Sequence, residues 1–280
     1  MTGALAVLRY TLLEQTRRWV LIALVVIAVL LVTAIGVAPL LIPGAPTGEE
    51  RNYFIINTAS SVISLFTFIS AIAIGMTLIY HDLDGGGVVT IFAKPISRLS
   101  YSLGKIASAV LMLVLILGAL AITLFIVLRI NGGGHEVSVA GFLGAELGNV
   151  LIFGVLVMAL TVVVNNIVAA IIGFVFYQVV GAVGFLHTLV QSKVIKSSIW
   201  EPVINFVYWV IPHRLESDLP REIIRTQLAR HPIPPGPRGQ VFDPLSTIPY
   251  GSGWPDILYW AAYLVVLCAI LYWLVRRRQV

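Results

Sequence analysis

Six long apolar runs that contain no Asp, Glu, Lys or Arg constrain this chain more than any other feature. Each run is long enough to cross the roughly 30 Å hydrocarbon core of a membrane as a helix of about 20 residues. The backbone of a segment in lipid has to form its hydrogen bonds within that segment, as a helix does. We therefore predict an all-α, polytopic membrane protein with six transmembrane helices. The predicted spans are 19–41, 53–80, 106–128, 147–164, 167–189 and 257–275.

The composition excludes a soluble fold. Charged residues make up only 11% of the chain, against about 25% in soluble domains, so most of the surface has to face lipid. We interpret residues 1–280 as one membrane domain. The basic residues behind the net charge of +5 flank the apolar runs, and this placement argues against a nucleic-acid partner. The single cysteine, Cys268, lies inside an apolar run, which excludes an intrachain disulfide and a Cys-based metal site.

Basic residues near the ends of the spans predict the orientation, because Lys and Arg accumulate on the cytoplasmic side. With a cytoplasmic N-terminus, nine of these residues lie inside, and only Arg51 and Arg129 lie in the short outer loops. We therefore predict that both termini are cytoplasmic. The nine residues are Arg9, Arg17, Arg18, Lys94, Arg98, Lys105, Arg276, Arg277 and Arg278.

Two segments lie outside the predicted spans. Residues 4–18 are expected to form an amphipathic helix along the inner face, with three leucines on one side and an i,i+4 pair of Glu14 and Arg18 opposite. The leucines are Leu5, Leu8 and Leu12. The extracytoplasmic segment 190–255 contains an apolar stretch, 203–211, that is too short to cross the membrane and suits its interface.

The sequence contains no motif for catalysis or for nucleotide binding. A Walker A loop needs G-x-x-x-x-G-K-[ST], but the only Gly-Lys pair, Gly104-Lys105, is followed by Ile106. The five histidines show no metal-ligand spacing. We therefore predict a protein that is not an enzyme and has no catalytic, cofactor-binding or metal site in this chain.

The segment between the second and third spans has the features of a docking surface. Gly85–Gly87 release the chain from the second span, and Pro95 stops any helix before it. Between them, Val88–Ala93 is predicted to form one short turn of helix with an apolar face edged by charges. That face comprises Val88, Ile91 and Phe92, and its edge comprises Asp82, Asp84, Lys94 and Arg98. The alternative is an interfacial loop packed on its own membrane domain, and the residues alone leave both open.

This stretch resembles the ABC-2 type transporter permeases, in particular the branch that contains the membrane subunit for nitrous oxide reductase maturation. The shared pattern is an acidic residue, a glycine-rich turn, an apolar run, Pro-x-x-Arg and a downstream Gly-Lys. Here it reads Asp82 or Asp84, Gly85-Gly86, Val88–Ala93, Pro95, Arg98 and Gly104-Lys105. The N-terminal elbow helix of the family is matched by Arg9, Glu14 and Arg17-Arg18, and the six-span layout agrees as well. Gly87 departs from the Ser or Thr that is common in the turn.

The resemblance implies a permease subunit of an exporter in the cytoplasmic membrane of a prokaryote. Its partners would be the lipid membrane, a second permease copy in a homodimer or heterodimer, and two cytoplasmic ABC ATPase subunits. The ATPase subunits would hold the ATP and Mg²⁺ that this chain does not bind. The elbow helix and a coupling helix in region 82–98 would seat on the ATPases. The residues assigned to this coupling are Asp82, Asp84, Val88, Ile91, Phe92, Lys94, Pro95, Arg98, Glu14, Arg17 and Arg18.

Two stripes of polar or small residues mark the second and fifth spans, which in such permeases face each other across the dimer. Small and hydroxyl residues also favour ordinary helix packing in membranes, so a pathway, a dimer interface and plain packing all remain open. The stripes comprise Asn57, Ser60, Ser61, Ser64 and Thr67 in the second span, and Gly173, Tyr177, Gln178, Gly181 and Gly184 in the fifth.

Two other functional classes are compatible with six spans. A self-sufficient secondary transporter or channel usually carries charges or broken helices inside the membrane. A membrane-embedded enzyme needs a cluster of titratable residues within the spans. Neither pattern is evident in the six apolar runs, so the ABC-2 permease is the favoured interpretation.

Overall fold

The computed structural model describes residues 2–16, 19–42, 47–80, 82, 97–230, 245 and 248–277. In these ranges the chain forms nine α-helices and no strand. Six of the helices are long and apolar enough to cross a membrane. The all-α class with six membrane-spanning helices is thereby confirmed.

The nine helices of the described ranges follow one another in chain order. They are α1 (Thr2–Thr16), α2 (Trp19–Leu41), α3 (Glu49–Leu78), α4 (Arg98–Ile130), α5 (Glu136–Val163), α6 (Asn166–Gln191), α7 (Trp200–Val210), α8 (Leu219–Arg230) and α9 (Trp254–Arg277). The six that could span are α2, α3, α4, α5, α6 and α9.

Several spanning helices extend beyond the apolar runs that predict them. Helix α4 begins eight residues before its run at Ile106, because the side chain of Ser97 caps it by accepting a hydrogen bond from the Ser100 amide. The extensions bring Lys105 and Glu146 into spanning helices, and both residues are buried. The absence of charge therefore holds for the apolar runs but not for the complete helices.

The break predicted at Asn165-Asn166 is present. Helix α5 ends at Val163 and α6 begins at Asn166. The side-chain oxygen of Asn165 accepts a hydrogen bond of 2.9 Å from the amide of Ile167. It thereby satisfies one of the amides that the first turn of a helix leaves without a partner.

The chain forms two compact units. The first comprises residues 1–134, 147–175 and 261–280, and in it α2 and α3 pack on α4 while α1 lies along α4. Two glycines of this unit allow neighbouring helices to pack closely. A Cβ on Gly104 would lie 2.7 Å from the Cβ of Val7, and one on Gly75 would lie 2.9 Å from the backbone oxygen of Gly154.

Helix α1 packs on its own unit through a face of mixed polarity. Val7, Thr11 and Gln15 are buried, whereas Leu5 is 64% exposed. The hydroxyl of Ser108 in α4 donates to the Leu8 carbonyl over 3.4 Å. The leucine side of the predicted amphipathic helix therefore does not form this contact, and it remains available to lipid. Arg17 and Arg18 lie outside the described residues.

The second unit comprises residues 135–146 and 176–260. Helix α7 contains all but the last residue of the stretch predicted at 203–211, and none of the helix residues is buried. Helix α8 buries Leu219 and Ile223. The guanidinium of Arg221 lies 3.5 Å from the centroid of the Tyr250 ring, and this contact ties α8 to the segment before α9.

Candidate functional site

The predicted coupling segment is described only at its two ends. Asp82 follows the end of α3, and Arg98 begins α4. The positions assigned to docking between them lie outside the described residues, namely Asp84, Val88, Ile91, Phe92, Lys94 and Pro95. The described residues therefore show how the two ends of the segment are held in the protein.

Asp82 anchors the start of this segment inside the protein. Its Oδ2 lies 2.7 Å from the Nζ of Lys105 and accepts a hydrogen bond of 2.7 Å from the Tyr101 hydroxyl. The contact with Lys105 is a short ion pair without the alignment of a hydrogen bond. Asp82 is only 6% exposed, so it does not form the exposed edge that the sequence suggested.

The helical repeat explains why two side chains of α4 converge on one carboxylate. Tyr101 and Lys105 are four residues apart and therefore lie on the same face of the helix. Lys105 is 1% exposed, so its charge needs a partner within the protein. In the sequence, Lys105 stands out only as a cytoplasmic basic residue and as part of the Gly-Lys pattern. Tyr101 carried no signal at all.

The other coupling residues that the structure describes lie nearer the surface. Arg98 is partly exposed and donates to the backbone carbonyl of Arg276, near the end of α9. Glu14 in α1 is also partly exposed. These positions leave Arg98 and Glu14 accessible to a partner, in contrast to Asp82.

The polar stripe of α3 divides along its length. Asn57 and Ser61 are exposed, Ser60 and Ser64 are partly exposed, and Thr67 is buried. The Thr67 hydroxyl donates to the carbonyl of Ile63, four residues earlier, over 2.7 Å. Thr67 therefore belongs to the interior of its unit, whereas Asn57 and Ser61 lie on an accessible side of the helix. Ser60 is intermediate, because the residue is partly exposed but its hydroxyl oxygen is buried.

The stripe of α6 also divides into separate environments. Gly173 is buried, and a Cβ there would lie 2.6 Å from a methyl group of Val157, so this glycine allows close packing against α5. Gln178 is exposed. A Cβ on Gly181 would lie 3.2 Å from the guanidinium of Arg214, and Gly184 meets open space.

Tyr177 and Arg214 form a contact that the sequence did not reveal. The Arg214 guanidinium lies 3.5 Å from the centroid of the Tyr177 ring, and its Nη2 donates to the Tyr177 carbonyl over 3.1 Å. Arg214 lies in the 190–255 segment, which has no helical or strand periodicity at this point. The one sequence feature that could have indicated this contact is the basic residue that follows the apolar stretch 203–211.

Four rings of the second unit form a continuous stack. His187 lies 3.7 Å from Tyr208, Tyr208 lies 4.1 Å from His213, and His213 lies 4.7 Å from Tyr259, all measured between ring centroids. The Tyr259 hydroxyl donates to the Ile211 carbonyl over 3.1 Å, which fixes the end of the stack. Burial lowers the pKa of His213 and favours its neutral form, although the nearby carboxylate of Asp256 acts in the opposite direction.

Beside this stack, the second unit encloses a cavity of about 830 Å³. The end of α6, helix α7, the loop after it and residues 249–256 supply its walls. Arg214 and Glu216 both line the cavity. Burial raises the pKa of Glu216 to about 7, with a further contribution from the charge of Glu146, while Arg214 lowers it.

The comparison with protein families accounts for nearly the whole chain. The model described as ABC-2 family transporter protein matches residues 5–280. No curated protein sequence shows significant similarity to the chain.

Proposed function

The chain belongs to the ABC-2 family of transporter proteins, and from this membership we propose that it is the permease subunit of an ATP-driven exporter. The family match over residues 5–280 carries the proposal, because it includes all six helices that could span a membrane. Within the family, the residue pattern from His81 to Lys105 favours the branch of the nitrous-oxide-reductase-maturation permease.

In this proposal the energy comes from a separate subunit. The sequence contains no Walker A loop, so ATP and Mg²⁺ would bind to cytoplasmic ABC ATPase subunits. Two ATPase copies would act on two permease copies. The basic residues that flank the spans favour cytoplasmic termini, in the cytoplasmic membrane of a prokaryote.

The anchoring of Asp82 supports a role for the following segment in transmitting movement. The Asp82–Lys105 ion pair connects the end of α3 to the first turns of α4. Helix α1 is held on the same part of α4, where Val7 meets Gly104. A force that an ATPase applied to α1 or to the segment after α3 would therefore act on one packed group of helices.

Reconstitution tests this proposal directly. The chain would be co-expressed with a candidate ABC ATPase subunit of its organism, purified in detergent and returned to lipid vesicles. We expect a complex with equal numbers of permease and ATPase chains, whose ATP hydrolysis depends on the permease. A chain that bound no ATPase and moved solute along an ion gradient by itself would instead support the secondary transporter.

A further inference from the structure

The cavity of the second unit is large enough for an organic molecule. Its volume of about 830 Å³ lies within the roughly 300–1,000 Å³ of small-molecule sites and far exceeds the space that a bare metal ion occupies. The cavity lies wholly within the second unit. A ligand could therefore bind there in an isolated permease chain.

The charges of the cavity wall favour a cation. Three carboxylates line it, Glu201, Glu216 and Asp256, against two basic side chains, Lys193 and Arg214. The Arg214 guanidinium already lies 3.5 Å from the Tyr177 ring and donates a hydrogen bond to the Tyr177 carbonyl. By formal charge the wall carries one more negative than positive group, and one of the carboxylates, Asp256, also lies 3.2 Å from the Nε2 of His213. The space is partly enclosed, and opposite charges attract more strongly there than in water.

A carboxylate that does not line the cavity, Glu146, also acts on Glu216. Glu146 is 6% exposed, and its charge acts on Glu216 in the direction that favours protonation. Burial acts in the same direction, and together they outweigh the opposing effect of Arg214. Glu216 is therefore a carboxylate whose charged form lacks sufficient compensation, and an incoming cation would supply it.

The aromatic lining indicates an organic cation with an apolar part. Both faces of the Tyr208 ring are covered by His187 and His213. Trp209 is different, because its contacts with Tyr208, His213 and Tyr259 are edge-to-face. It also remains 46% exposed. Trp is the ring that attracts cations most strongly, and it also packs well against apolar groups.

We propose that this cavity binds an organic ammonium ion with an apolar body, with Glu216 as its counter-charge and Trp209 as its packing surface. This site goes beyond the proposed function, because it needs neither the ATPase nor transport. It can bind a ligand in the chain alone.

The test is equilibrium dialysis of the purified chain in nanodiscs of phosphatidylcholine, which has no net charge, with empty nanodiscs subtracted. The probe is benzyltrimethylammonium, compared with benzenesulfonate as an anion and benzyl alcohol as a neutral molecule. We expect saturable binding of the ammonium ion and weaker binding of the other two. Binding no stronger than to empty nanodiscs, or equal binding of benzenesulfonate, would overturn the proposal.

Variants assign the binding to this cavity. Loss of a charged partner corresponds to about 10- to 100-fold in affinity, so Glu216→Gln should weaken binding by that factor. Trp209→Leu should also weaken it, whereas Trp209→Phe should retain most of it. The matched control is Glu136→Gln, which removes an exposed carboxylate of the same unit that does not line the cavity. Unchanged affinity in folded Glu216→Gln would refute the assignment, and if that variant fails to fold, unchanged affinity in folded Trp209→Leu would refute it equally.

Discussion

The Nζ of Lys105 lies 2.7 Å from the Oδ2 of Asp82, and neither side chain has more than 7% of its surface exposed. Removal of one member of such a pair leaves a buried charge without compensation, which typically costs about 3–5 kcal/mol. We therefore expect Asp82→Asn and Lys105→Met each to lower the free energy of unfolding by a few kcal/mol. Thermal unfolding in detergent measures this loss.

A double variant that lacks both charges tests whether the loss of stability comes from the uncompensated charge. Replacement of both charges removes the uncompensated one, so Asp82→Asn combined with Lys105→Met should be closer to wild type than either single variant. Asn keeps an oxygen that can accept the hydrogen bond of the buried Tyr101 hydroxyl. Glu50→Gln, at an exposed carboxylate of the same unit, is the control and should change the stability little. If the single variants were as stable as this control, the ion pair would have no structural role.

Loss of the apolar side chain of Phe92 should weaken ATPase binding. Burial of such a side chain in a partner groove contributes about 1.5–3 kcal/mol, which corresponds to roughly 10- to 100-fold in affinity. Pull-down of the ATPase by Phe92→Ala at matched expression measures the effect. Leu99→Ala, at a residue of α4 that is 49% exposed, is the control.

Charge at the edge of the same segment should matter less than Phe92. Exposed ion pairs are worth about 0–1 kcal/mol and weaken as salt is added. Lys94→Ala should therefore reduce ATPase binding only slightly, and only at low ionic strength. Full binding and coupled activity in Phe92→Ala would rule out the docking role assigned to Val88–Ala93.

The accessible part of the α3 stripe predicts a transport phenotype for Ser64→Leu. Replacement of a hydroxyl by an apolar side chain on a polar pathway changes the local free energy by about 1–3 kcal/mol, so transport should fall on the order of tenfold. ATPase assembly should be unaffected. Leu65→Ile, a change of similar apolar residues at the next position, serves as the control. Normal transport by Ser64→Leu would indicate that the stripe serves only helix packing.

Cysteine labelling in intact cells tests the orientation. The native Cys268 would first be replaced by Ala, and single cysteines would then be placed at Lys94 and at Lys196. An impermeant thiol reagent outside the cell should label position 196, which is exposed, and should leave position 94 unmodified. The opposite labelling pattern would show that the orientation is the reverse of the predicted one.

The pH dependence of stability should reveal Glu216. Because the folded protein raises the pKa of this carboxyl from 4.5 to about 7, the folded state binds more protons than the unfolded state between these values. Stability from this group is therefore complete below about pH 4.5 and decreases as the pH rises towards 7. Each pKa unit corresponds to about 1.4 kcal/mol, and solvent in the cavity reduces the effect, so we expect about 1–3 kcal/mol.

Glu216→Gln isolates this contribution, because the variant cannot lose the proton. Compared with wild type, it should lose less thermal stability between pH 5 and pH 8. His213 acts in the opposite direction, since its lowered pKa reduces stability as the pH falls below about 6.5. It is present in both proteins, and its effect therefore cancels in the comparison. Identical pH profiles would show that Glu216 titrates normally.

The sequence predicts those features that depend on residues close together in the chain. Trp19–Leu41 is both the predicted second helix and the observed α2, because the thickness of the membrane selects the length of an apolar run. The partner of Lys105 could not be predicted, since a basic residue beside a span is normally exposed at the interface. The pairing with Asp82 depends on tertiary packing across 23 positions of the chain.

The cavity residues were missed for a different reason. Arg214 and Glu216 lie in a segment without periodicity, so no pattern indicates which side chains meet. Their arrangement depends on contacts with α6 and with residues near 250, such as the hydrogen bond of 2.8 Å from the Glu216 amide to the Ser252 hydroxyl. Hydroxyl and glycine spacing did reveal the stripes of α3 and α6, but it could not show that Thr67 and Gly173 are buried.

The contact at Gly75 gives α3 the geometry of a lever. The helix has 30 residues and no proline, so it is a stiff rod about 45 Å long at 1.5 Å per residue. Its glycine meets the backbone of Gly154 only three residues before the end at Leu78. With this contact as the fulcrum, the long arm back to Glu49 is roughly nine times the short arm. Because the long arm packs on α2 and α4, a movement at the Leu78 end would displace these helices together with α3.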